Sequence, residues 1–198
     1  MVDKTQLEPL PAADWDSSLT SIIDEMNGEP LNVHKLMANN PALLKAWWNF
    51  RNYSVTGGAL GRRLGELVIL RVAVHMRAWY EWASHVERSL ACGILMDEIE
   101  RVRKVAPQGV FQESWEESEA LLLAAVDELI ANQRLSPASL QKLKVHYDDR
   151  QLMDLMAIHG MYIILGCMIN TWGLELDTEV KVKLPAMADQ QQFEAESF

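Results

Sequence analysis

The chain has 198 residues, 49% of them hydrophobic and 23% charged, which predicts one globular domain with a single sizeable core. The formal net charge of −10 at pH 7 argues against nucleic acid and membrane surfaces as partners, because both attract clustered Lys and Arg. The polar start lacks the apolar segment of a signal peptide, and Cys92 and Cys167 form no CxxC pair. These features together predict a cytoplasmic protein.

Nearly every segment has the pattern of a helix, so the sequence predicts an all-α fold built around an antiparallel helical hairpin. Residues 1–16 are predicted to be an N-terminal arm and residues 17–185 a single helical domain. Residues 186–198 are polar, and we expect them to be disordered or held only by an oligomer contact. Asn40-Pro41 and Asp148 with Gln151 predict two helix starts, and Gly93 predicts the end of the helix that contains Glu81 and His85.

The longest apolar run, residues 152–169, is barely long enough to cross a bilayer. It contains Asp154 and His159, which favours a helix buried inside the protein. His159 is interpreted as a hydrogen-bonded core histidine, and His34 and His146 as surface or capping residues.

Two stretches, residues 62–93 and 139–173, share a pattern of a short helix followed by a long apolar helix with a tyrosine. Tyr80 and Tyr162 fall at comparable points of the two stretches, although few other residues are identical. The pattern is compatible with an internal duplication of a helical unit, and it is equally compatible with two unrelated helical segments.

Residues 66–93 carry the candidate site. Glu81 and His85 are four residues apart, so on a helix they share one face and their side chains can meet. Tyr80 and Trp82 flank this pair and are expected to form a water-poor wall that contacts a substrate. A carboxylate beside an imidazole in such surroundings suits general acid–base catalysis, although the same pair also occurs as a stabilising contact.

The preceding apolar helix contains two further charged residues of interest. Glu66 is either a second carboxylate of the site or a partner of Arg62 or Arg63. Arg71 needs a carboxylate, because burying an unpaired guanidinium is costly. That carboxylate is either an internal acid or the acid group of a bound substrate.

The string YEWASH at residues 80–85, an early Glu in the preceding helix and Gly93 resemble the carboxymuconolactone decarboxylase-like superfamily, which includes alkyl hydroperoxidase D. The resemblance covers roughly residues 32–176. It implies an alkyl hydroperoxidase D-like helical fold that is oligomeric and free of cofactors. We therefore expect a homo-oligomer, and the tryptophan and methionine content also suggests more apolar surface than a monomer hides.

In the peroxidase branch of this superfamily the motif is Cys-x-x-Cys-x-x-x-His. Aligning its histidine with His85 puts Ala78 and Glu81 at the two cysteine positions. Peroxide reduction needs a thiolate and a resolving thiol, so the resemblance does not extend to thiol peroxidase chemistry.

The decarboxylase branch uses acid–base groups. By this resemblance the chain is interpreted as a cofactor-independent decarboxylase, isomerase or related lyase that acts on a small carboxylated or lactone-type cyclic metabolite. His85 would transfer the proton, Glu81 would orient His85 and raise its basicity, and Glu66 would be a second carboxylate. The sequence contains no metal-ligand spacing and no nucleotide-binding loop, so no cofactor is expected.

Two alternatives come from other functional classes. One is a non-catalytic helical oligomer that binds a ligand or a partner. The other is a redox protein with a displaced thiol at Cys92, which on a helix would lie about 10 Å from His85.

Overall fold

The computed structural model describes residues 6–56, 58–103, 115–186 and 188–196, and within these ranges every regular element is a helix. The all-α prediction is therefore confirmed. Two short 3-10 helices, Ala12–Asp14 and Ser17–Leu19, come first. The α-helices that follow are α1 Thr20–Glu25, α2 Asn32–Met37, α3 Pro41–Val55, α4 Arg62–Met76, α5 Trp79–Ala91, α6 Met96–Arg103, α7 Glu117–Asn132, α8 Pro137–Leu143, α9 Asp149–Trp172, α10 Thr178–Lys183 and α11 Gln190–Glu196.

Helix α4 is the centre of the fold. All ten residues from 65 to 74 are buried, because α5, α6, α7 and α9 pack around this helix. Its sequence is apolar on every side, as expected for a helix without a solvent-exposed face. One part of the core contains Val68 and Val72, and the other contains Leu67 and Leu70, so α4 separates two apolar clusters.

Helices α4 and α5 are joined by a tight turn that ends the first helix. Arg77 adopts a left-handed backbone conformation (φ 52°), and the next amide, of Ala78, donates to the carbonyl of Ala73 at 2.9 Å. This arrangement satisfies the last carbonyls of α4 and lets the chain begin α5 after only two residues. At the other end of α5, Gly93 has φ 86° and acts as the predicted C-terminal glycine.

Helix α9 begins at the predicted capping box, in which Asp148 accepts from the amide of Gln151 and Gln151 accepts from the amide of Asp148. By length and composition alone α9 could cross a membrane, but 44% of its most apolar window is buried in this fold. Asp154 is buried and accepts hydrogen bonds from Tyr53 and the amide of Ala59. The expectation of a buried helix therefore holds for one side of α9 only, because Met153 and Ile164 on this helix are exposed.

The two stretches compared for duplication have different structures. Residues 62–93 form two helices of 15 and 13 residues, whereas residues 137–172 form one helix of 7 residues and one of 24. The pattern of a short helix before a long one therefore holds only for the second stretch.

Both ends of the described chain are more firmly packed than the sequence suggested. In the predicted loose arm, Trp15 is buried and its indole NH donates to the carbonyl of Leu10 at 3.0 Å. In the predicted disordered tail, Phe193 is fully buried and its ring lies 5.6 Å from that of Trp79 and 5.4 Å from that of Trp82. A single aromatic residue is sufficient to fix a polar segment onto the core.

Replacement of Phe193 by alanine tests this anchoring. We expect Phe193→Ala to lower the free energy of unfolding by about 3 kcal/mol, since it removes a fully buried aromatic ring. Urea denaturation followed by tryptophan fluorescence measures the change.

The matched control is Gln191→Ala in the same helix, where the side chain is exposed. It should change the unfolding free energy by less than about 0.5 kcal/mol. Equal stability of the Phe193→Ala variant and the parent would show that the tail is not anchored to the core.

Candidate functional site

A small cavity lies where α2, α3, α5 and α9 meet, with a volume of about 50 Å³. Its apolar wall includes Val33, Trp47 and Leu165, and its polar wall includes Glu81 and His85. This volume holds a few water molecules or a small ligand group.

The central interaction of the site joins α4 to α5. His85 Nδ1 lies 2.6 Å from Glu66 Oε2, and both residues are almost fully buried, with 5% and 4% of their surfaces exposed. Because Nδ1 contacts a carboxylate, we assign the ring proton to this nitrogen, which donates to Glu66. The other ring nitrogen, Nε2, is then left with a lone pair that can accept a proton.

The hydroxyl of Tyr162, on α9, lies 3.0 Å from His85 Nε2 and forms a hydrogen bond with this nitrogen. Burial lowers the pKa of His85, although the Glu66 carboxylate partly opposes this effect, so the imidazole is neutral at pH 7. Burial also raises the pKa of Tyr162, which keeps the phenol protonated as the hydrogen-bond donor. Glu66, His85 and Tyr162 therefore form one continuous hydrogen-bonded chain.

Glu81 does not have the role that its spacing suggested. The expected contact between Glu81 and His85 is absent, because Glu66 and Tyr162 already occupy both ring nitrogens. Glu66 is thus the carboxylate that orients His85, so the roles predicted for the two glutamates are reversed. Glu81 is 2% exposed, and neither of its carboxyl oxygens has a hydrogen-bond partner among the described residues.

The protonation state of Glu81 follows from this environment. Burial raises its pKa well above the ordinary value, because the carboxylate would lose its hydration there without gaining a hydrogen-bond partner among the described residues. At neutral pH Glu81 is therefore an uncharged carboxylic acid in the cavity wall, able to donate a proton or a hydrogen bond.

Tyr80 also lines the cavity, as expected, but its hydroxyl is held by the protein itself. It donates to Asp177 Oδ2 at 2.5 Å and accepts from the amide of Val33 at 3.3 Å. Asp177 also accepts from the amide of Asn32 at 2.8 Å. Tyr80 therefore fixes the start of α2 against α5 and shapes the cavity through its ring.

Trp82 and Arg71 are not cavity-lining residues, so the substrate-contact role expected for them finds no support. Trp82 is fully buried and packs on Phe193, on another side of α5. Arg71 makes a bidentate ion pair with Asp127 of α7, with Nε 2.6 Å from Oδ1. Of the two partners considered for Arg71, the structure shows the internal acid.

Four polar residues of the cavity wall were not recognised in the sequence: His34, Arg51, Ser84 and Arg88. Ser84 and Arg88 could have been found, since positions 81, 84, 85 and 88 recur at helical spacing and form one face of α5. Arg51 gives no such signal, because its helix α3 lies elsewhere in the sequence.

The interpretation of His34 as a surface or capping residue is wrong. His34 is 4% exposed and lines the cavity, and its Nδ1 has no hydrogen-bond partner within the described ranges. Burial, followed by the charges of Arg51 and Arg88, lowers the pKa of His34 to about 3. His34 is therefore a neutral imidazole at every physiological pH.

Other chemistries find little support in the described ranges. Across these residues no group of three or more His, Cys, Asp and Glu side chains is placed to hold a metal ion. Cys92 is not a cavity-lining residue, and burial raises its thiol pKa, which disfavours the thiolate.

Part of the chain that contains the site matches a known protein family. Residues 41–127, which include Glu66, Glu81 and His85, match the model of the carboxymuconolactone decarboxylase family. A search of curated proteins gives no significant match to the chain.

Solved structures show the same fold at low sequence identity. A peroxidase-related protein from Silicibacter sp. TM1040 has a TM-score of 0.72 and 16% identity over 90% of this chain and 95% of that chain. An alkylhydroperoxidase AhpD core protein from Ralstonia eutropha JMP134 has a TM-score of 0.75 and 17% identity over the same shares. The debrominase Bmp8 in complex with 2,3,4-tribromopyrrole has a TM-score of 0.73 and 16% identity, again over 90% and 95%. Residues 41–127 are therefore similar to the carboxymuconolactone decarboxylase family, and the chain as a whole shares the fold of alkyl hydroperoxidase D-like proteins.

Proposed function

We propose that the protein is a cofactor-independent acid–base enzyme, a decarboxylase, isomerase or related lyase, that acts on a small carboxylated or lactone-type cyclic metabolite. The observation that supports this most strongly is the buried chain of Glu66, His85 and Tyr162 beside the protonated Glu81 on one cavity. Similarity of residues 41–127 to the carboxymuconolactone decarboxylase family supports a catalytic role in general but leaves the substrate open.

His85 is the proton-transferring group of this proposal. Its Nε2 lone pair takes a proton from a carbon atom next to a carbonyl group, and the protonated imidazole can return that proton. Because the Tyr162 hydroxyl contacts Nε2, Tyr162 either moves away from this nitrogen or passes the proton on. The Glu66 carboxylate, 2.6 Å from Nδ1, stabilises the imidazolium that forms.

Glu81 supplies the complementary acid. When a carbon next to a carbonyl loses a proton or carbon dioxide, negative charge collects on the carbonyl oxygen as an enolate. A protonated carboxyl group without an internal partner can donate to that oxygen. The cavity thus offers a base and an acid whose pKa values are pushed in opposite directions, as this reaction class requires.

The low polarity of much of the wall supports a small cyclic substrate. The structurally similar debrominase was solved with a brominated pyrrole, which is a small planar ring. The Trp47 ring and the Leu165 side chain give this cavity surfaces of the same general kind.

A non-catalytic ligand-binding protein is the second candidate. It is favoured by the several polar groups of the cavity that lack internal partners, because a bound ligand would satisfy them. It does not explain why His85 is held at both nitrogens in a defined tautomer. The experiments below separate the two.

We also propose that the chain forms a homo-oligomer, on grounds that differ from the sequence argument. Trp47, Trp48 and Trp82 are buried within one chain and supply no excess surface. Exposed apolar side chains lie instead on α9, where Met153 is 69% exposed and Ile164 45%.

Replacement of His85 is the primary test of catalysis. His85→Gln should retain the fold and slow proton exchange with deuterated solvent by about 100-fold or more, because glutamine cannot act as the base. The measurement is mass-spectrometric deuterium incorporation into a panel of unsaturated carboxylic acids and lactones. The control is His146→Gln, a change at a histidine outside the cavity wall.

Two results would contradict the assignment. The first is an unchanged exchange rate in a folded His85→Gln variant. The second is a complete lack of exchange by the parent protein across the panel, which would favour the ligand-binding candidate.

The pH dependence of the rate separates the two glutamates. Glu66→Gln removes the carboxylate that stabilises the charged imidazole, so the pKa of His85 falls. The acidic limb of the pH–rate profile, on which activity rises as His85 loses its proton, should therefore move to lower pH. A limb that stays in place would mean that Glu66 does not control His85.

Glu81→Gln should act on the opposite limb. In the parent, activity should fall at high pH as Glu81 ionises at its raised pKa. Glutamine stays uncharged, so the alkaline limb should disappear while the acidic limb remains. Persistence of the alkaline limb in Glu81→Gln would assign that titration to another group.

A further inference from the structure

We infer that Arg51 and Arg88 bind a carboxylate group of the substrate, so that the site selects anionic acids over neutral lactones, ketones or amides of the same shape. The inference deepens the proposed function, on which it rests for the position of the reacting carbon near His85.

Arg88 lies one helical turn beyond His85 on the same face of α5, and it lines the cavity. Across the described residues no carboxylate lies within ion-pairing distance of it and no hydrogen bond to its side chain is present. Arg63, Arg71 and Arg101 behave differently, since each pairs with an acidic side chain at 2.6 to 2.8 Å. The guanidinium donors of Arg88 are therefore available to a ligand.

Arg51 approaches the same cavity from α3. Its guanidinium lies 5.0 Å above the Trp48 ring, and its NH1 group donates to Asn52 Oδ1 at 2.9 Å. These contacts orient the guanidinium. The Glu25 carboxylate, which accepts from Trp48 Nε1 and Asn52 Nδ2, compensates part of its charge.

The two arginines act on each other across the cavity. Burial, and after it the charge of Arg88, lowers the pKa of Arg51. Two like charges in a partly desolvated space are unfavourable until an anion enters between them. The same pair also lowers the pKa values of His34 and His85, after burial, so its positive potential extends over the whole polar wall.

The remaining polar groups of the wall are uncharged at neutral pH. His34 Nδ1 and Ser84 Oγ are buried and have no hydrogen-bond partner among the described residues, and Glu81 is protonated. The cavity therefore combines two guanidinium groups, of which Arg51 is partly compensated by Glu25, with neutral hydrogen-bonding groups. A single anionic group balances this arrangement.

A carboxylate fits better than a phosphate or a sulfate. The cavity is small, and beyond its polar residues the wall is formed by Val55, Met161 and Leu165. A planar carboxylate matches the fork of a guanidinium and leaves an apolar body for that wall. One helical turn, about 5 Å along the axis, separates Arg88 from His85, which suits a short acid whose reactive carbon lies close to its carboxylate.

The test compares the binding of crotonate with that of crotonamide, which has nearly the same shape and no charge. Isothermal titration of the parent should show crotonate binding at least about tenfold more tightly, as expected for charge-assisted hydrogen bonds. In Arg88→Gln and in Arg51→Gln the preference should shrink to about twofold or less. Arg62→Gln makes the same change of charge at an exposed arginine outside the cavity, and it should keep the full preference.

Three results would overturn the inference. They are equal binding of the two probes by the parent, full preference in both cavity variants, and no saturable binding of crotonate by the folded parent. Circular dichroism confirms folding of each variant, and Arg88→Lys, which keeps the charge, should retain part of the preference.

Failure of the catalytic proposal is distinguishable from failure of this inference. Binding requires no turnover, so a parent protein that prefers crotonate but exchanges no protons would support the arginine assignment and reject the catalytic one. Proton exchange that is equally fast for neutral and anionic compounds would support catalysis and reject the arginine assignment.

Discussion

The hydrogen bond between Glu66 and His85 is the interaction on which the rest of the site depends. It lies between α4, the fully buried central helix, and α5, whose opposite face packs on Phe193. In such an environment neither group is stable alone, because an isolated buried charge or imidazole loses its hydration without compensation. The pair fixes one tautomer, directs Nε2 to Tyr162, and thereby sets the orientation of the imidazole.

Charge balance differs between the core and the cavity. Around α4 the buried charges are matched, as in the bidentate pair of Arg71 with Asp127. At the cavity, Glu81 has no internal partner among the described residues and Arg88 has no internal carboxylate. Glu81, His34 and Ser84 place several unsatisfied polar atoms around this one space, which suits it to a ligand that would pair with them.

The sequence predicted the helices well and the roles of the side chains less well. The start of α9 and the end of α5 followed from local signals, Asp148 with Gln151 and Gly93, which depend only on neighbouring backbone groups. His85 and Glu66 were identified from the superfamily pattern, and the structure does bring them together. Which glutamate contacts His85 was not predictable, since helical spacing permits the local pair but does not exclude a competing residue on another helix.

The missed residues illustrate the same limit. His34 and Arg51 reach the cavity from α2 and α3, and their positions depend on tertiary packing that no local periodicity encodes. The packing of the tail was not predicted for a related reason. One phenylalanine among polar residues produces no hydrophobic periodicity, yet the Phe193 ring packs against both Trp79 and Trp82. Local patterns thus located the helices, while the assembly of α2, α3, α5 and α9 determined the chemistry of the site.

The residues at the start of α5 differ from the superfamily's peroxidase motif, and this difference bears on the chemistry that the scaffold can carry out. Ala78 and Glu81 occupy the places where the superfamily's peroxidase motif has its two cysteines, and His85 keeps the place of its histidine. A histidine that accepts a proton from a thiol can also serve a carbon acid, which is much weaker, only where a hydrogen-bond donor stabilises the enolate that forms. Glu81 is such a donor. Under the proposed function, the residues at these two positions, the N-cap and the first turn of α5, decide whether the scaffold carries out thiol redox chemistry or proton transfer.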